Sequence, residues 1–111
     1  MALFAEVTPQ SDQVRLVVDG HFDIGCYDAF HQILAQHFDD ASQIVVDFAH
    51  ASYLDSSALG MLLLLREKMG EQSQKTVFFE SAHGPIMQAL KVAQFEQLFR
   101  IHPSPQPQAS C

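Results

Sequence analysis

The stretch Gln43-Ile44-Val45-Val46-Asp47-Phe48 decides the fold, together with Tyr53-Leu54-Asp55-Ser56-Ser57-Ala58-Leu59-Gly60, which follows it after a short loop. The first segment is almost continuously apolar and rich in β-branched residues, which is typical of an interior strand covered on at least one face. The apolar residues that follow predict a helix from about Ser57 to Met69, with Gly70 as its C-terminal cap. A buried strand that leads into an apolar helix indicates an α/β domain.

The residues upstream of this unit predict two strands and a helix. Residues 3–7 form a candidate strand, and the β-branched residues 13–18 form its hairpin partner, which Asp19-Gly20 is expected to end. Apolar residues then recur at helical spacing and predict a helix over residues 27–38; they are Tyr27, Phe30, Ile33, Leu34 and Phe38.

Downstream, the sequence predicts a strand over residues 75–80, a helix that begins at Gly84-Pro85 and a short edge strand over residues 98–101. The order β-β-α-β-α-β-α-β predicts a mixed sheet of four to five strands, with about three to four helices mainly on one face. We assign residues 1–102 to this single domain. Residues 103–111 are proline-rich and uncharged, and we expect them to form a flexible tail.

Charge and composition exclude several classes of function. The 111 residues include 13 acidic and 6 basic side chains, for a net charge of -7, which disfavours binding to nucleic acid or to an anionic membrane surface. The longest apolar run, residues 58–65, is far shorter than the roughly 20 residues that span a bilayer. The N-terminus lacks the basic segment of a signal peptide, so we expect a cytoplasmic protein in which Cys26 and Cys111 are free thiols.

Ser56 lies where the second helix begins, and two roles fit a serine there. Its hydroxyl can cap the free backbone N–H groups of the first turn, which is the commoner role, although Leu59 stands where a capping box needs Glu or Gln. Alternatively, a phosphate on Ser56 would face the positive end of the helix dipole and several unpaired N–H donors. The residues themselves leave both roles open.

Other kinds of site find less support. The six histidines lack the HxxxH or HxH spacing of metal ligands, so we expect no metal site. A Ser56 hydrolase would need a base and an oxyanion hole, and no Gly-x-Ser-x-Gly elbow is present. Asp23, Asp47 and Asp55 resemble the acidic pocket of a receiver domain, but the chain has too few βα units for that doubly wound fold.

Four segments together resemble a STAS domain, and specifically the bacterial anti-sigma factor antagonists. Two of them are the strand Val45-Val46-Asp47-Phe48 and the segment from Tyr53 to Gly60 quoted above. Gly20-His21-Phe22-Asp23 fits the Gly-x-[Leu/Phe]-Asp motif that precedes the first helix of that family, and Gly84-Pro85-Ile86-Met87-Gln88-Ala89-Leu90 fits the start of its third helix. The resemblance spans residues 3–101 and implies a binding module rather than an enzyme.

The resemblance also implies how such a module is switched. Ser56 corresponds to the phosphate acceptor, which an anti-sigma factor that is also a serine kinase phosphorylates and a metal-dependent serine phosphatase dephosphorylates. The unmodified form binds the kinase and so frees the sigma factor for transcription. The protein would then need no cofactor and would perform no catalysis itself.

The resemblance places Asp23 beside the acceptor, and the strand order predicts the same, because the ends of neighbouring parallel strands share one sheet edge. Capping of the helix that follows is the alternative role for Asp23. The expected partner surface comprises Asp23, Asp55, Ser56, Ser57, Ala58 and Leu59. Ala58 stands where the family commonly has glycine, and its methyl group would narrow the approach of a kinase.

A second reading is a structural subunit, because STAS domains also occur in lipid-transport ABC complexes and in stress-sensing assemblies. The lipid-transport members resemble this chain in size and in the site at the same helix start. Neighbouring genes would separate the two readings: a serine kinase and phosphatase on one side, an ABC ATPase and permease on the other.

Overall fold

The computed structural model describes residues 3–7, 12–38, 41–70 and 76–103. Five strands form one mixed sheet in the order β1-β2-β3-β4-β5. β1 runs antiparallel to β2, and every other neighbouring pair is parallel. The strands are β1 (Leu3–Val7), β2 (Gln13–Phe22), β3 (Gln43–Leu54), β4 (Thr76–Ala82) and β5 (Arg100–Pro103).

Three α-helices connect the parallel strands: α1 (Tyr27–His37), α2 (Ser56–Gly70) and α3 (Gly84–Val92). Two short 3₁₀ turns precede α1 and follow α3, at Ile24–Cys26 and Phe95–Gln97. The predicted α/β class, the mixed sheet and the order of elements are confirmed. None of the helices in the described part of the chain is long and apolar enough to cross a membrane.

The helices cover one face of the sheet. Side chains of a strand alternate between the two faces, so every second strand residue points towards the helices. In β3, Ile44, Val46 and Phe48 belong to the same buried cluster as the inward side chains of the helices. That cluster includes Phe30, Ile33, Leu34, Ala58, Met61, Leu62, Leu65, Ile86 and Leu90. Val45 points to the other face and is not part of that cluster.

The predicted ends of β2 and β3 are wrong, because both strands continue towards the site. β2 passes through Gly20, whose φ of 86° a glycine adopts without steric cost, and it ends at Phe22 rather than before Asp19. β3 was expected to end at Phe48 but runs to Leu54. Pairing of these extensions, with register shifts between Val17 and Asp19 and between Gly20 and His21, replaces the predicted loops.

The last strand also differs from its prediction. Leu98 and Phe99 were expected to begin it, but their N–H groups donate to the Phe95 carbonyl and close the second 3₁₀ turn. Phe99 stacks on Phe79 with ring centroids 4.3 Å apart, so the aromatic core holds this segment out of the sheet. β5 therefore starts at Arg100.

Four smaller boundaries differ from their predictions or lie outside the described residues. β4 continues to Ala82, whereas Lys75, its predicted start, lies outside the described residues. α2 begins at Ser56, one residue earlier than expected. The predicted tail beyond Pro103, with Cys111, also lies outside the described residues, so the domain boundary stays a prediction.

The face of the sheet opposite the helices carries an ionic cluster among the described residues. Nη1 of Arg15 on β2 lies 3.1 Å from Oδ2 of Asp47 on β3 and 2.9 Å from Oε1 of Glu80 on β4. Partial burial opposes the guanidinium charge, but hydrogen bonds and attraction to Glu80 and Asp47 outweigh it and raise the pKa of Arg15. Arg15 thus joins three strands on this face.

Candidate functional site

The candidate site lies where β2 and β3 leave the sheet side by side. Phe22, the last residue of β2, pairs in register with Leu54, the last residue of β3. The backbone N–H of Asp55 donates to the Phe22 carbonyl at 3.3 Å and ties the two strand ends together. The next residue on each chain segment is an aspartate, so Asp23 and Asp55 emerge at the same edge.

Asp55, and not Ser56, caps α2. Oδ1 of Asp55 accepts a hydrogen bond from the Ala58 N–H at 3.1 Å, and its backbone carbonyl accepts the first intrahelical bond, from the Leu59 N–H. This is the N-cap arrangement, in which a side-chain oxygen satisfies a free donor of the first turn. The capping interpretation of Ser56 is therefore wrong, because α2 begins one residue earlier and the carboxylate already occupies the cap.

Ser56 is the first residue of α2, and its side chain is exposed. Within residues 3–7, 12–38, 41–70 and 76–103, no hydrogen bond of its hydroxyl is found. Ser57 is half-buried, and Leu59 is partly buried against the core. An exposed hydroxyl at the positive end of a helix is open to modification, and a phosphate there would gain from the helix dipole.

Ala58 is wrongly placed on the predicted partner surface. Its relative exposure is 0%, because two residues after Ser56, where α2 begins, the helix turns this position onto the sheet. The methyl group packs into the core and cannot obstruct an approaching kinase. The remaining residues of the predicted surface, Asp23, Asp55, Ser56, Ser57 and Leu59, all keep some exposure.

Asp23 combines proximity to the site with a capping role. Its Oδ1 accepts from the Gly25 N–H at 2.9 Å, and its carbonyl accepts from the Cys26 N–H, so it caps the 3₁₀ turn before α1. The side chain remains half-exposed. Cys26, which follows, is a buried free cysteine.

Two exposed apolar side chains near the strand ends were missed from the sequence. Ile24 is 64% exposed and Tyr53 is 47% exposed. The Tyr53 ring lies 5.2 Å from the ring of His21 on the adjacent strand. Their positions in the sequence, with Ile24 one residue after Asp23 and Tyr53 two residues before Asp55, could have pointed to the site. Their exposure could not be predicted, because it depends on how far β2 and β3 extend.

The edge carries negative charge without basic residues of its own. Residues 18–30 and 48–63 contain no lysine or arginine. The acidic side chains in these two segments are Asp19, Asp23, Asp28 and Asp55. A protein that binds here would gain from positive charge.

The described residues do not assemble a receiver-like acidic pocket or a metal centre. Asp47 lies on β3 and precedes Asp55, the residue that follows this strand, by eight residues, a span of about 26 Å at 3.3 Å per residue. Its carboxylate pairs with Arg15 on the opposite face. Among the side chains that the structure describes, no group of three histidine, cysteine or acidic residues could hold a metal ion.

Comparison with known proteins identifies the family. The family model described as "Mlab, STAS domain" matches residues 5–101. A STAS-domain containing protein of Pseudomonas aeruginosa is 34% identical over 101 residues, which cover 91% of this chain and 99% of that protein.

Solved structures share the fold at low sequence identity. A candidate anti-sigma factor antagonist from Thermotoga maritima superposes with a TM-score of 0.80 at 12% identity, covering 93% of this chain and 87% of that one. The Bacillus cell fate determinant SpoIIAA in its phosphorylated form gives 0.65 at 16% identity, covering 90% of each chain. A sulfate transporter family protein from Wolinella succinogenes gives 0.72 at 16% identity, covering 90% of this chain and 83% of that one.

These likenesses establish the architecture and do not choose between regulators and transporters, because one fold hosts both. The family match rests on the sequence as well as on the fold, since it covers nearly all of the described residues and includes a relative at 34% identity. The strand ends, the Asp55 cap and the exposed Ser56 lie within the matched region. The chain belongs to the STAS domain family.

Proposed function

We propose that this protein is an anti-sigma factor antagonist that binds a serine kinase, itself the anti-sigma factor, and is released by phosphorylation of Ser56. The observation that carries the proposal is the exposed Ser56 at the start of α2, where Asp55 performs the capping. Two structures with this fold, one of a candidate antagonist and one of a phosphorylated SpoIIAA, support it.

The modification is a simple group transfer to this chain. The Ser56 Oγ forms a bond to the γ-phosphorus of ATP, the bond between that phosphorus and the β-bridging oxygen breaks, and ADP leaves with the electron pair. The hydroxyl proton passes to a base on the kinase. A serine phosphatase reverses the change by hydrolysis, so the chain itself acts as substrate and binding module rather than as an enzyme.

Electrostatics accounts for the release. Phosphorylation adds about -1.5 to -2 charges at neutral pH, next to Asp55 and at the same edge as Asp23. A partner surface that buries the neutral hydroxyl must then desolvate that charge, which costs well above the roughly 1.4 kcal/mol of a tenfold loss in affinity. The block is local and requires no rearrangement of the fold.

The test is a capture experiment with three baits: the wild type, Ser56→Asp and Ser56→Ala. Proteins retained from a lysate of the native cells are identified by mass spectrometry. We expect a serine kinase on the wild type and on Ser56→Ala, and at least a tenfold smaller amount on Ser56→Asp. Thermal melting of Ser56→Asp serves as the control, because an acid at the first helical position gains about 0.3–1 kcal/mol from the dipole and should leave the protein folded.

Three results would contradict the proposal. Equal capture of the kinase by all three baits would remove the switch. Capture of an ABC ATPase and permease in place of a kinase would favour a transport subunit. This alternative is considered because a sulfate transporter family protein has the same fold. A grossly unfolded Ser56→Asp would make the switch an effect on folding.

A further inference from the structure

β3 and β4 separate at one point, just before the part of β3 that leads to the candidate site. Their last registered pair is Asp47 with Glu80, and past this pair β3 runs beside β2 alone among the described strands. β4 continues beside β5 as far as Ala82. We call the place where the two strands separate, formed by Phe48 on β3 and by residues 81–83 at the end of β4, the β3–β4 fork.

A histidine side chain bridges this fork. Nε2 of His83 lies 3.1 Å from the backbone carbonyl oxygen of Phe48, a residue 35 positions earlier in the chain. Because a carbonyl oxygen only accepts hydrogen bonds, Nε2 is the donor and carries the proton. The imidazole thus gives a partner to a backbone acceptor at the level where the registered pairing of β3 with β4 has ended.

Helix capping does not account for a histidine at this position. His83 is the N-cap residue of α3, but its side chain makes no capping hydrogen bond, and histidine is not among the residues preferred there. Its backbone carbonyl accepts from the N–H groups of Ile86 and Met87, which the backbone of any residue could do. The half-buried side chain therefore serves the fork rather than the helix.

The backbone that leads to His83 adopts an unusual conformation. Ser81 has a φ of 61°, in the left-handed region, which a residue with a Cβ atom adopts only where the surrounding structure enforces it. The register of β4 with β5 also shifts between Glu80 and Ala82. This local geometry fixes where the His83 ring lies relative to β3.

Ser56 depends on the part of β3 that lies beyond the fork. From Phe48 to Leu54 this part spans about 20 Å at 3.3 Å per residue, so a tilt of about 3° at the fork would displace its far end by about 1 Å. The far end is tied to β2 by the hydrogen bond from the Asp55 N–H to the Phe22 carbonyl. A displacement of about 1 Å can slow a reaction that needs an aligned nucleophile by up to roughly 100-fold.

We propose that His83 is a positioning residue for the phosphorylation of Ser56. Its hydrogen bond to Phe48 fixes the direction in which β3 leaves β4, and so holds the Ser56 hydroxyl where the kinase transfers the phosphate. His83 acts through β3 rather than at the reacting atoms. The inference rests on the proposed function for the reaction that it assists, whereas the effect on the end of β3 is a property of this chain alone.

Hydrogen exchange of the free protein tests the end of β3 without any partner. His83→Phe keeps a ring without a donor, and His83→Gln has an amide nitrogen that can donate in place of Nε2. Val77→Ala is the matched control for lost stability, since Val77 packs against the core at the opposite end of β4. We expect the Asp55 amide to exchange at least about tenfold faster in His83→Phe than in Val77→Ala, and at the wild-type rate in His83→Gln.

Phosphorylation by the purified kinase from the capture experiment tests whether the reaction depends on this positioning. In His83→Phe, kcat for transfer to Ser56 should fall about tenfold while KM changes less than about twofold, because a displaced hydroxyl impairs the transfer step more than binding. His83→Gln should recover most of kcat, and Val77→Ala should react as the wild type does. If thermal melting shows that His83→Phe does not fold, His83→Ala takes its place.

Four results would overturn the inference. Wild-type exchange at Asp55 in His83→Phe would show that the bond does not hold the end of β3, and a folded His83→Gln that restores neither rate would show that the bond is not responsible. A loss in KM alone would make His83 a contact of the kinase. An equal loss in Val77→Ala would make the effect one of general stability.

Failure of the proposed function would give a different result. A wild type that takes no phosphate from the kinase would remove the switch and, with it, the role of His83 in phosphorylation. The exchange rate of the Asp55 amide would still decide whether His83 holds the end of β3, because that measurement needs no kinase.

Discussion

At the start of α2, capping and exposure of a hydroxyl group fall to two adjacent residues, Asp55 and Ser56. Asp55 supplies the oxygen that satisfies the Ala58 N–H, and Ser56 keeps an exposed hydroxyl. Because Asp55 provides the cap, the Ser56 hydroxyl does not have to satisfy a backbone donor of the first turn. The carboxylate at Asp55 therefore leaves Ser56 available for modification at little cost in stability.

This division predicts different effects of neighbouring substitutions on stability. Asp55→Ala should lower the free energy of unfolding by about 1 kcal/mol, because the cap is lost. Asp55→Asn retains an acceptor oxygen and should stay close to the wild type, and Ser56→Ala should fall within about 0.5 kcal/mol of it. Urea unfolding measures all three, and a cost for Ser56→Ala equal to that of Asp55→Ala would return the cap to Ser56.

Phosphate should enter at Ser56 and not at Ser57. Ser57 is half-buried, whereas Ser56 is exposed at the helix start. After incubation with the kinase and ATP, mass spectrometry should find one phosphate on the wild type and on Ser57→Ala, and none on Ser56→Ala. Phosphate retained by Ser56→Ala would show that another residue is the acceptor.

Asp23 both accepts a hydrogen bond from the Gly25 N–H and presents a charge at the surface. Two substitutions distinguish the contribution of the hydrogen bond from that of the charge. Asp23→Asn keeps an oxygen for the Gly25 N–H but removes the charge, so its melting temperature should stay near that of the wild type. Asp23→Ala should in addition lose the turn, at a cost of about 1 kcal/mol. Both substitutions should weaken kinase binding or slow phosphorylation of Ser56. If Asp23→Asn had the kinase affinity and the phosphorylation rate of the wild type, the only role of Asp23 would be to cap the turn.

At the scale of elements, the site depends on how far β2 and β3 extend. The two strands continue to Phe22 and Leu54, past the last registered pair of β3 with β4 at Asp47 and Glu80. This extension brings Asp23 to Asp55 and presents Tyr53 beside His21. The acidic edge is therefore held by strand pairing rather than by a free loop.

The positive φ at Gly20 gives this extension a testable weak point. Gly20→Ala should lower the free energy of unfolding by about 1–2 kcal/mol, because a Cβ is disfavoured at a φ of 86° whatever space surrounds it. Gly60→Ala is the matched control, since it makes the same chemical change in a helix and should be stabilising. Equal stability of Gly20→Ala and the wild type in urea unfolding would show that the strand end adapts.

At the scale of the whole molecule, one face of the sheet supports the candidate site and the other contributes to stability alone. One face supports the helices and, through α2, the candidate site. The other face is stabilised by its own side chains, with Arg15 linked to Asp47 and Glu80 across three strands. A change on this second face should alter stability without altering the site.

Arg15→Ala tests this separation. It should lower the free energy of unfolding by about 1 kcal/mol, because it removes a partly exposed ion-pair cluster and the packing of its aliphatic stem. Kinase affinity and Ser56 phosphorylation should remain those of the wild type. Urea unfolding and the binding assay together check the prediction, and a loss of affinity in a folded Arg15→Ala would place the sheet face opposite the helices in the partner contact.

Much of the architecture follows from local patterns in the sequence. The apolar run from Ile44 to Val46, the helical spacing after Tyr27 and the Gly84-Pro85 start each specify an element through burial and backbone preference. The segment from Asp55 to Gly60 and the motif at Gly20–Asp23 were sufficient to indicate the family. These signals are local, so they can be read without knowing what packs against them.

Only the tertiary structure decided which residue caps α2, where β2 and β3 end and which side chains reach the surface. Ala58 and Gly60 are both small residues of one helix, yet one is fully buried and the other faces open space. Their difference comes from the rotation of α2 on the sheet. Leu98 and Phe99 likewise look like strand residues, but stacking on Phe79 draws Phe99 into the core. Packing between segments that are distant in sequence decides these features, and a local sequence pattern does not show which segment will pack against it.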